Sequence, residues 1–322
     1  MFKLSQIRQL FHNFIVRRKL FGWKVAFLIP AARIFKWAWK PKHRAILAYL
    51  EQKYAPLIEQ YKSKQSSDNG IIAPDCPIWV CWFQGEEQMP PLVKRCYSTI
   101  IKYSGNHPVR LIQMDNFRKY VSIPQYVLDK VKNKELSLTH LSDVLRINLL
   151  AIHGGIWLDA TIFLTAPLKT FELPFFSLKQ NMPQSIRHIH VTEFRWTTFC
   201  LGGVKGNILY SFLRDMIHLY IKQEKIFIDY FLFDYLIAIG YRNIPAIRSM
   251  IDAVPYSNHD LWYLRRHISA PVNEQSLQEV LQRTFIYKLS YKVPMPSNPN
   301  ALYYYLGLAG DCEKNFISQN RI

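Results

Sequence analysis

Residues 138–164 have the sequence LTHLSDVLRINLLAIHGGIWLDATIFL, and this stretch decides the fold. Leucine and isoleucine recur at three- and four-residue intervals before the glycine pair, which predicts a helix with one buried face. Ser137 or Thr139 can cap its start. The glycine pair predicts the helix end, because glycine adopts a positive φ at little cost. A short apolar strand is predicted over residues 156–158, and residues 162–164 are expected to continue it.

Three ionisable side chains in this stretch are candidates for a functional site. Asp159 ends the apolar strand, where an unpaired buried carboxylate would be costly. We therefore expect Asp159 either to face a cleft or to pair with a cation. Asp143 and Arg146 are neighbours about one turn apart on the predicted helix. They form either an ordinary helix ion pair or a part of the same site.

A second apolar run, PIWVCWFQG, lies upstream at residues 77–85. It is rich in aromatic and β-branched residues and stops at Gly85, which predicts the buried first strand of an α/β sheet. A helix is expected to begin at Pro90, and a second strand over residues 109–116. Trp79 is expected in the core. Ligands of such sheets bind beyond the carboxyl ends of the strands, so the residues after the first strand are candidates for binding.

Together these segments resemble the capsular polysaccharide synthesis proteins and related glycosyltransferases with a DXD motif, and more distantly the large clostridial glucosylating toxins. The family pattern is Ser-Asp-x-x-Arg on a helix, followed by Gly-Gly-x-(Trp/Tyr)-x-Asp-x-Asp. The matching residues are Ser142, Asp143, Arg146, Gly154, Gly155, Trp157 and Asp159. Thr161 stands where the pattern has its second DXD acid. The resemblance spans about residues 76–167, with weaker similarity to about residue 291.

The resemblance implies an α/β fold with a Rossmann-like, nucleotide-sugar-binding domain of GT-A type. It implies a retaining glycosyltransferase that moves a sugar from a nucleotide-sugar, with a UDP-sugar as the expected donor, to a lipid-linked or polysaccharide acceptor. Asp159 would be catalytic and would orient the ribose, sugar and metal. The donor-binding residues that it implies are Trp82, Gln84 and Gly85 at the base and ribose, and Asp143, Arg146, Gly155 and Trp157.

A divalent metal, Mn²⁺ or Mg²⁺, is also implied by the DXD resemblance, with Asp159 and Thr161 as its protein ligands. A neutral hydroxyl binds a hard cation more weakly than a carboxylate does. The metal would therefore be held mostly by the diphosphate, water and a later acid.

Two later segments supply further candidates. Residues 228–236, IDYFLFDYL, place Asp229 and Asp234 in an apolar stretch that is expected to be helical. The family that the chain resembles has a similar Asp-Tyr-Phe-Leu stretch with an acid on the acceptor side, and this resemblance makes Asp234 the catalytic candidate. Asp229 is expected to cap the helix. Lys288 lies in residues 287–292, which also resemble the family, and could meet the diphosphate. An exposed basic strand is the alternative for this segment.

The net charge of +18 is concentrated at the amino terminus, because residues 1–50 contain no Asp or Glu. Aromatic residues lie between the cations. This pattern predicts a basic helical arm and linker over residues 1–69, ahead of a catalytic domain over residues 70–322. The arm is expected to lie on an anionic membrane, which makes the protein peripheral on the cytoplasmic, inner face of the plasma membrane. Alternatively, the arm helices pack on the catalytic domain.

The remaining composition narrows the function classes. Five cysteines without CxxC spacing argue against a disulfide framework or a zinc site, and fit a reducing cytoplasm. The uncharged run over residues 25–32 is too short to cross a bilayer, which takes about 20 residues. Basic charge alone suggests a nucleic-acid-binding protein, but no motif of that class is present and no nucleic-acid partner is expected. A third hypothesis is a non-catalytic scaffold of glycan assembly, in which Thr161 marks a lost metal site.

Overall fold

The computed structural model describes residues 4–64 and 70–310, with side chains from residue 11 onward. Five strands form the central sheet in the order β2-β1-β3-β6-β5. β1 runs parallel to β2 and β3, whereas β6 is antiparallel to β3 and β5. The predicted α/β class is confirmed, and four of the five strands run in the same direction, with β6 opposite to them. The strands are β1 (Ile78–Cys81), β2 (Val109–Ile112), β3 (Gly155–Leu158), β4 (Ile162–Leu164), β5 (Phe175–Ser177), β6 (Cys200–Gly203) and β7 (Ile286–Lys288).

Helices cover both faces of this sheet. Side chains alternate along β1 and β3, so Trp79 and Trp157 face one layer while Ile78 and Ile156 face the other. The helices are α1 (Leu4–Ile34), α2 (Trp39–Lys53), α3 (Ala55–Lys62), α4 (Pro91–Lys102), α5 (Gln125–Lys132), α6 (Leu138–His153), α7 (Gln184–Arg187), α8 (Ile208–Gln223), α9 (Leu232–Asn243), α10 (Pro245–Ala253), α11 (Tyr263–His267), α12 (Glu274–Arg283) and α13 (Leu302–Tyr305).

The predicted helix–glycine–strand unit is α6 followed by β3. The Ser137 hydroxyl accepts a hydrogen bond from the His140 amide at 3.2 Å and caps the helix start. Gly154 ends the helix with a φ of +68°. All four residues of β3 are buried between β1 and β6, so the strand leads directly to Asp159 at its carboxyl end.

The prediction that residues 162–164 continue the same strand is wrong. The chain turns after β3, and the Ile162 amide donates to the Asp159 carbonyl oxygen at 2.9 Å. β4 then pairs antiparallel with β7 in a separate two-stranded sheet, where Ile162 lies opposite Lys288. This turn brings Thr161 and Lys288 next to Asp159.

The amino-terminal helices share a hydrophobic core with the rest of the protein. The Tyr61 hydroxyl of α3 donates to Asp215 of α8 at 2.6 Å, and Arg242 of α9 pairs with Glu51 of α2 at 2.8 Å. α2 and α3 therefore pack on the body, as the alternative interpretation of the arm required. The boundary at residue 69 stays a prediction, since residues 65–69 of the expected linker and residues 311–322 lie outside the described structure.

α1 is interrupted at Gly22, which has a φ of +84° and a ψ of +166°, and exposed apolar side chains lie on both of its segments and on the turn after it. Together they form the aromatic–basic face, which comprises Phe11, Ile15, Trp23, Phe27, Ile34, Phe35 and Trp37 with the exposed cations Arg18, Lys19, Lys24, Arg33 and Lys36. Among the described residues, no helix has both the length and the hydropathy needed to span a membrane.

Candidate active site

Arg146 joins the predicted acidic residues into one network at the carboxyl end of β3. Its Nη1 donates to Asp143 Oδ1 at 2.7 Å, and its Nη2 donates to Asp159 Oδ1 at 3.1 Å. The guanidinium lies over the Trp157 ring at 4.7 Å and over the Phe233 ring at 5.3 Å. Only 6% of the Arg146 side chain is exposed, and its Nε is buried without a hydrogen-bond partner. The planar guanidinium is thus fixed between two acids, which is more than an ordinary surface ion pair.

Asp159 lies at the mouth of the sheet, with 29% of its side chain exposed. Trp157 Nε1 donates to Oδ1 at 2.9 Å, and Lys288 Nζ donates to Oδ2 at 2.7 Å. The expectation that this carboxylate pairs with a cation is confirmed, and the carboxylate is also partly exposed to solvent. Trp157 itself is buried, so its contact with the site runs through Asp159 and Arg146.

Lys288 reaches this network from β7. Its Nζ also donates to Thr161 Oγ1 at 2.8 Å and lies 4.9 Å from the centre of the Phe199 ring. Its side chain is 15% exposed, so the alternative of an exposed basic strand does not describe this residue. Four residues predicted separately, Asp143, Arg146, Asp159 and Lys288, thus form one continuous chain of charges.

Burial and charge set the ionisation of the two acids in opposite directions. Burial raises the pKa of Asp143 to about 6, against the opposing effect of Arg146. Burial also works against ionisation of Asp159, but the charges of Lys288 and Arg146 outweigh it and hold the pKa of Asp159 below its ordinary value. Two carboxylates with separated pKa values in one charged network are typical of functional sites.

Asp234 lies in the first turn of α9 and is 9% exposed. Trp196 Nε1 donates to its Oδ1 at 3.1 Å. Burial raises the pKa of Asp234 to about 7, although the hydrogen bond from Trp196 lowers it. Asp229 precedes the helix, where its Oδ1 accepts from the Phe231 amide at 2.9 Å and its Oδ2 pairs with Lys42 at 3.4 Å. The N-cap of α9 is Phe231, so the prediction that Asp229 caps this helix is wrong, and Asp229 instead stabilises the turn before it.

Trp82, Gln84 and Gly85 follow β1 at the carboxyl edge of the sheet. Gln84 is exposed, and the Gly85 amide donates to the Trp82 carbonyl oxygen at 3.0 Å in a tight turn. The Trp82 ring meets Tyr291 edge to face, with 5.6 Å between ring centres. Since Tyr291 lies three residues after Lys288, this pair brings the end of β1 close to the charged network.

Tyr230 and Tyr291 are site residues that the sequence did not indicate. Burial, followed by the charges of Asp143 and Asp159, raises the pKa of Tyr230. Its ring is exposed. A local signal existed, since Tyr230 lies between the two acids of a candidate segment, but no periodic pattern distinguishes it from a surface aromatic.

Gly155 is placed differently from the donor-binding position predicted for it. It starts β3, at the end of the strand opposite to Asp159. Its φ is +97°, and an added Cβ would clash with the Pro77 carbonyl oxygen and lie 2.9 Å from Trp79 Nε1. The residue is a glycine because two strands approach closely there, and its position gives no support to a donor contact.

The described side chains around Asp159 lack the donor set of a protein-held divalent metal. Ca²⁺ and Mg²⁺ sites draw mainly on carboxylate and carbonyl oxygens. Among the described residues, no group of three or more His, Cys, Asp or Glu side chains could hold a metal ion. Both Asp159 oxygens already accept from cations, and Thr161 accepts from Lys288. The residues present do not fit a resident metal.

Cavities lined by residues of the described ranges also occur away from this network. One, of about 330 Å³, is lined by Lys40, Gln184, Arg187, His188, Glu193 and Arg195. Another, of about 60 Å³, lies between α11 and α12. The charged network itself opens to solvent at Asp159.

Comparison with known proteins identifies the family. A family model described as "Capsular polysaccharide synthesis protein" matches residues 33–306. The chain belongs to the capsular polysaccharide synthesis family. The resemblance predicted from the Ser-Asp-x-x-Arg and Gly-Gly segments is confirmed. As a solved structure, "PaToxG Glycosyltransferase" is similar with a TM-score of 0.38 and 14% identity over 83% of this chain and 95% of that chain. Comparison with curated proteins gave no match.

The match to the capsular polysaccharide synthesis family covers the whole charged network. It also includes α2 and α3, which share the hydrophobic core, and leaves out almost all of α1. The part of the chain that carries most of the aromatic–basic face is thus the part that the family model does not describe.

Proposed function

We propose that this member of the capsular polysaccharide synthesis family is a glycosyltransferase. It moves a sugar from a nucleotide-sugar, with a UDP-sugar as the expected donor, to a growing capsular or cell-surface polysaccharide. The observation that carries the proposal is the Asp143–Arg146–Asp159 network at the carboxyl end of β3. This edge of an α/β sheet is where ligands bind, and the network is buried on one side and open on the other.

The transfer breaks the bond between the anomeric carbon and the oxygen of the terminal phosphate. The nucleoside diphosphate leaves with the electron pair, and the acceptor hydroxyl oxygen forms the new bond to the anomeric carbon. The hydroxyl proton passes to a base. Negative charge grows on the diphosphate as it leaves, so fixed cations nearby lower the barrier. Arg146 and Lys288 supply two such cations beside Asp159.

In this proposal Asp159 and Asp143 accept hydrogen bonds from sugar hydroxyls, and Trp82 stacks on the base. Asp234 receives the proton of the acceptor hydroxyl. Its pKa of about 7 supports this role, since a general base works best when its pKa is near the working pH. The retaining outcome remains an expectation from the resemblance.

The aromatic–basic face supports the expected location at an anionic membrane. Trp23 is 62% exposed and Trp37 is 59% exposed, and exposed lysines and arginines lie between the apolar residues. Residues 1–50 carry no acid that would repel anionic lipid. Indole rings at the acyl boundary and cations among the headgroups are the arrangement of an interfacial helix. We propose that this face holds the enzyme against the inner leaflet, next to a lipid-linked acceptor.

A screen of nucleotide-sugars tests the proposal. The purified protein is incubated with UDP-, GDP- and dTDP-linked sugars, nucleoside diphosphate release is measured, and UDP binding is followed by calorimetry. Turnover of at least one donor is expected. UDP binding with no turnover of any donor would contradict the proposed transferase activity. Neither binding nor turnover would favour the non-catalytic scaffold, which the full pairing of both Asp159 oxygens also permits.

A further inference from the structure

We propose that the Lys288 ammonium occupies the place of the divalent cation in this site, so that sugar transfer requires no metal. The inference rests on the proposed function and starts from the disagreement between the donor set and a resident metal. Lys288 Nζ lies 2.7 Å from Asp159 Oδ2 and 2.8 Å from Thr161 Oγ1. These are the two side chains that the DXD resemblance assigns to the metal.

The position of this ammonium is set by backbone structure. Lys288 ends β7, where it pairs with Ile162 of β4, and its amide donates to the Leu261 carbonyl oxygen at 3.0 Å. The Phe199 ring flanks the ammonium at 4.9 Å. A lysine held in this way keeps its positive charge at a fixed position, whereas a bound metal ion can exchange with solution.

The charges around the ammonium oppose a second cation. A divalent ion bound at Asp159 would face Arg146 on one oxygen and Lys288 on the other, both within 3.1 Å of the carboxylate. Both cations would repel a divalent ion placed at the same carboxylate. A single carboxylate shared with two cations leaves little net charge to attract a metal.

Lys288 also keeps a donor for the substrate. An ammonium has three N–H groups, and the structure uses two of them, toward Asp159 and Thr161. The third can donate to a phosphate oxygen of the donor. Thr161 therefore suits a bound lysine. Its neutral hydroxyl accepts a hydrogen bond from the ammonium and adds no negative charge, unlike the second acid of the DXD pattern.

Metal removal tests this inference directly. The wild-type protein is stripped with EDTA, its turnover of the donor found in the screen is measured, and Mn²⁺ binding is followed by electron paramagnetic resonance. We expect turnover to change less than twofold on stripping, and no tight Mn²⁺ site in the free protein. Turnover that falls to background with EDTA and returns with Mn²⁺ would overturn the inference and leave the proposed function intact.

Variants locate the effect. Lys288→Ala is expected to weaken UDP binding at least tenfold, and the matched control Lys292→Ala, at a nearby exposed lysine, is expected to leave it unchanged. The double variant Thr161→Asp with Lys288→Ala restores the second acid and removes the ammonium. We expect it to bind Mn²⁺ and to gain metal-dependent UDP affinity. Equal UDP affinity in wild type and Lys288→Ala would contradict the role of Lys288. If the wild-type protein itself does not bind UDP, the proposed function is contradicted as well.

The 330 Å³ cavity between α2 and the loop around α7 supports a second inference. Three permanent cations, Lys40, Arg187 and Arg195, line it with one acid, Glu193. Arg195 pairs with Glu193 at 2.7 Å, and Arg187 Nε donates to the Met182 carbonyl oxygen at 2.9 Å. Among the described residues, no acid pairs with Lys40 or Arg187. The cavity therefore has excess positive charge on side chains that are partly fixed in position.

The location of this cavity connects the membrane face with the active site. Lys40 lies three residues after the exposed Trp37 of the aromatic–basic face. Arg195 directly precedes Trp196, whose indole donates to Asp234. We infer that the cavity binds the phosphate or diphosphate group of an anionic lipid, and that, given the proposed function, this group orients the acceptor toward Asp234. Arginine and lysine suit phosphate oxygens as donors and as charges.

Vesicle binding separates the possible sources of the phosphate. The double variant Lys40→Gln with Arg187→Gln is compared with the control Arg18→Gln with Lys24→Gln, which removes two exposed cations outside the cavity. Neutral phosphatidylcholine vesicles are doped either with a polyprenyl diphosphate or with phosphatidylglycerol. We expect the cavity variant to lose at least tenfold in affinity for the diphosphate vesicles, and more than the control loses. An equal loss by both variants on both vesicles would show general membrane electrostatics and would overturn the assignment.

Discussion

Burial raises the pKa of the Asp234 carboxyl group to about 7. Between its ordinary pKa of 3.8 and its folded value of about 7, the folded protein keeps a proton that the unfolded chain has lost. This group therefore lowers stability as the pH rises through that window. We predict that Asp234→Asn has a higher free energy of unfolding than wild type at pH 8, by about 1.4 kcal/mol for each pH unit of the shift. Urea unfolding at pH 4 and pH 8 measures it.

The same substitution tests the catalytic role. An amide cannot take a proton, so turnover by Asp234→Asn is expected to fall at least 100-fold while UDP affinity stays near wild type. A variant that is more stable at pH 8 and fully active would show that Asp234 is a buried structural acid. A variant with unchanged stability at both pH values would contradict the raised pKa.

The glycine pair before β3 decides whether the central strand can form. Gly155 has a φ of +97°, and an added Cβ would clash with the carbonyl oxygen of Pro77, the residue that precedes β1. We predict that Gly155→Ala lowers the free energy of unfolding by roughly 3 kcal/mol or more. Gly206→Ala is the matched control, because Gly206 also has a positive φ, +76°, but no atom within 4 Å. Its expected cost is about 1 kcal/mol. If thermal denaturation shows equal losses of stability in Gly155→Ala and Gly206→Ala, the close approach of Pro77 to Gly155 is contradicted.

Local sequence patterns predicted the helices and strands, but not which of them contact each other across the fold. The cap at Ser137, the helix end at Gly154 and the strand that follows could all be predicted, because each depends on neighbouring residues. The second sheet could not, since β4 pairs with a strand more than 120 residues away. For the same reason Lys288 was a candidate from resemblance only, and its contact with Asp159 became known from the structure.

The whole molecule combines a basic, aromatic surface with a charged network that is partly exposed at Asp159. We predict that Trp23→Ser with Trp37→Ser weakens binding to vesicles containing phosphatidylglycerol at least tenfold. Each large apolar side chain that passes from water into the membrane contributes on the order of 1.5–3 kcal/mol to binding. Co-sedimentation measures it. The control is Ile71→Ser with Met295→Ser, at exposed apolar residues outside the aromatic–basic face. An equal loss in the control, or none in the tryptophan variant, would contradict a specific membrane face.

The most direct measurement compares donor cleavage by wild type and Asp159→Asn under identical conditions. Asparagine keeps an oxygen that can accept from Trp157 and Arg146 but loses the negative charge beside Lys288. The exposed Asp129→Asn on α5 is the control. We predict that kcat falls at least 100-fold in Asp159→Asn with an unchanged circular dichroism spectrum, while Asp129→Asn keeps wild-type turnover. Wild-type turnover by a folded Asp159→Asn would contradict the account.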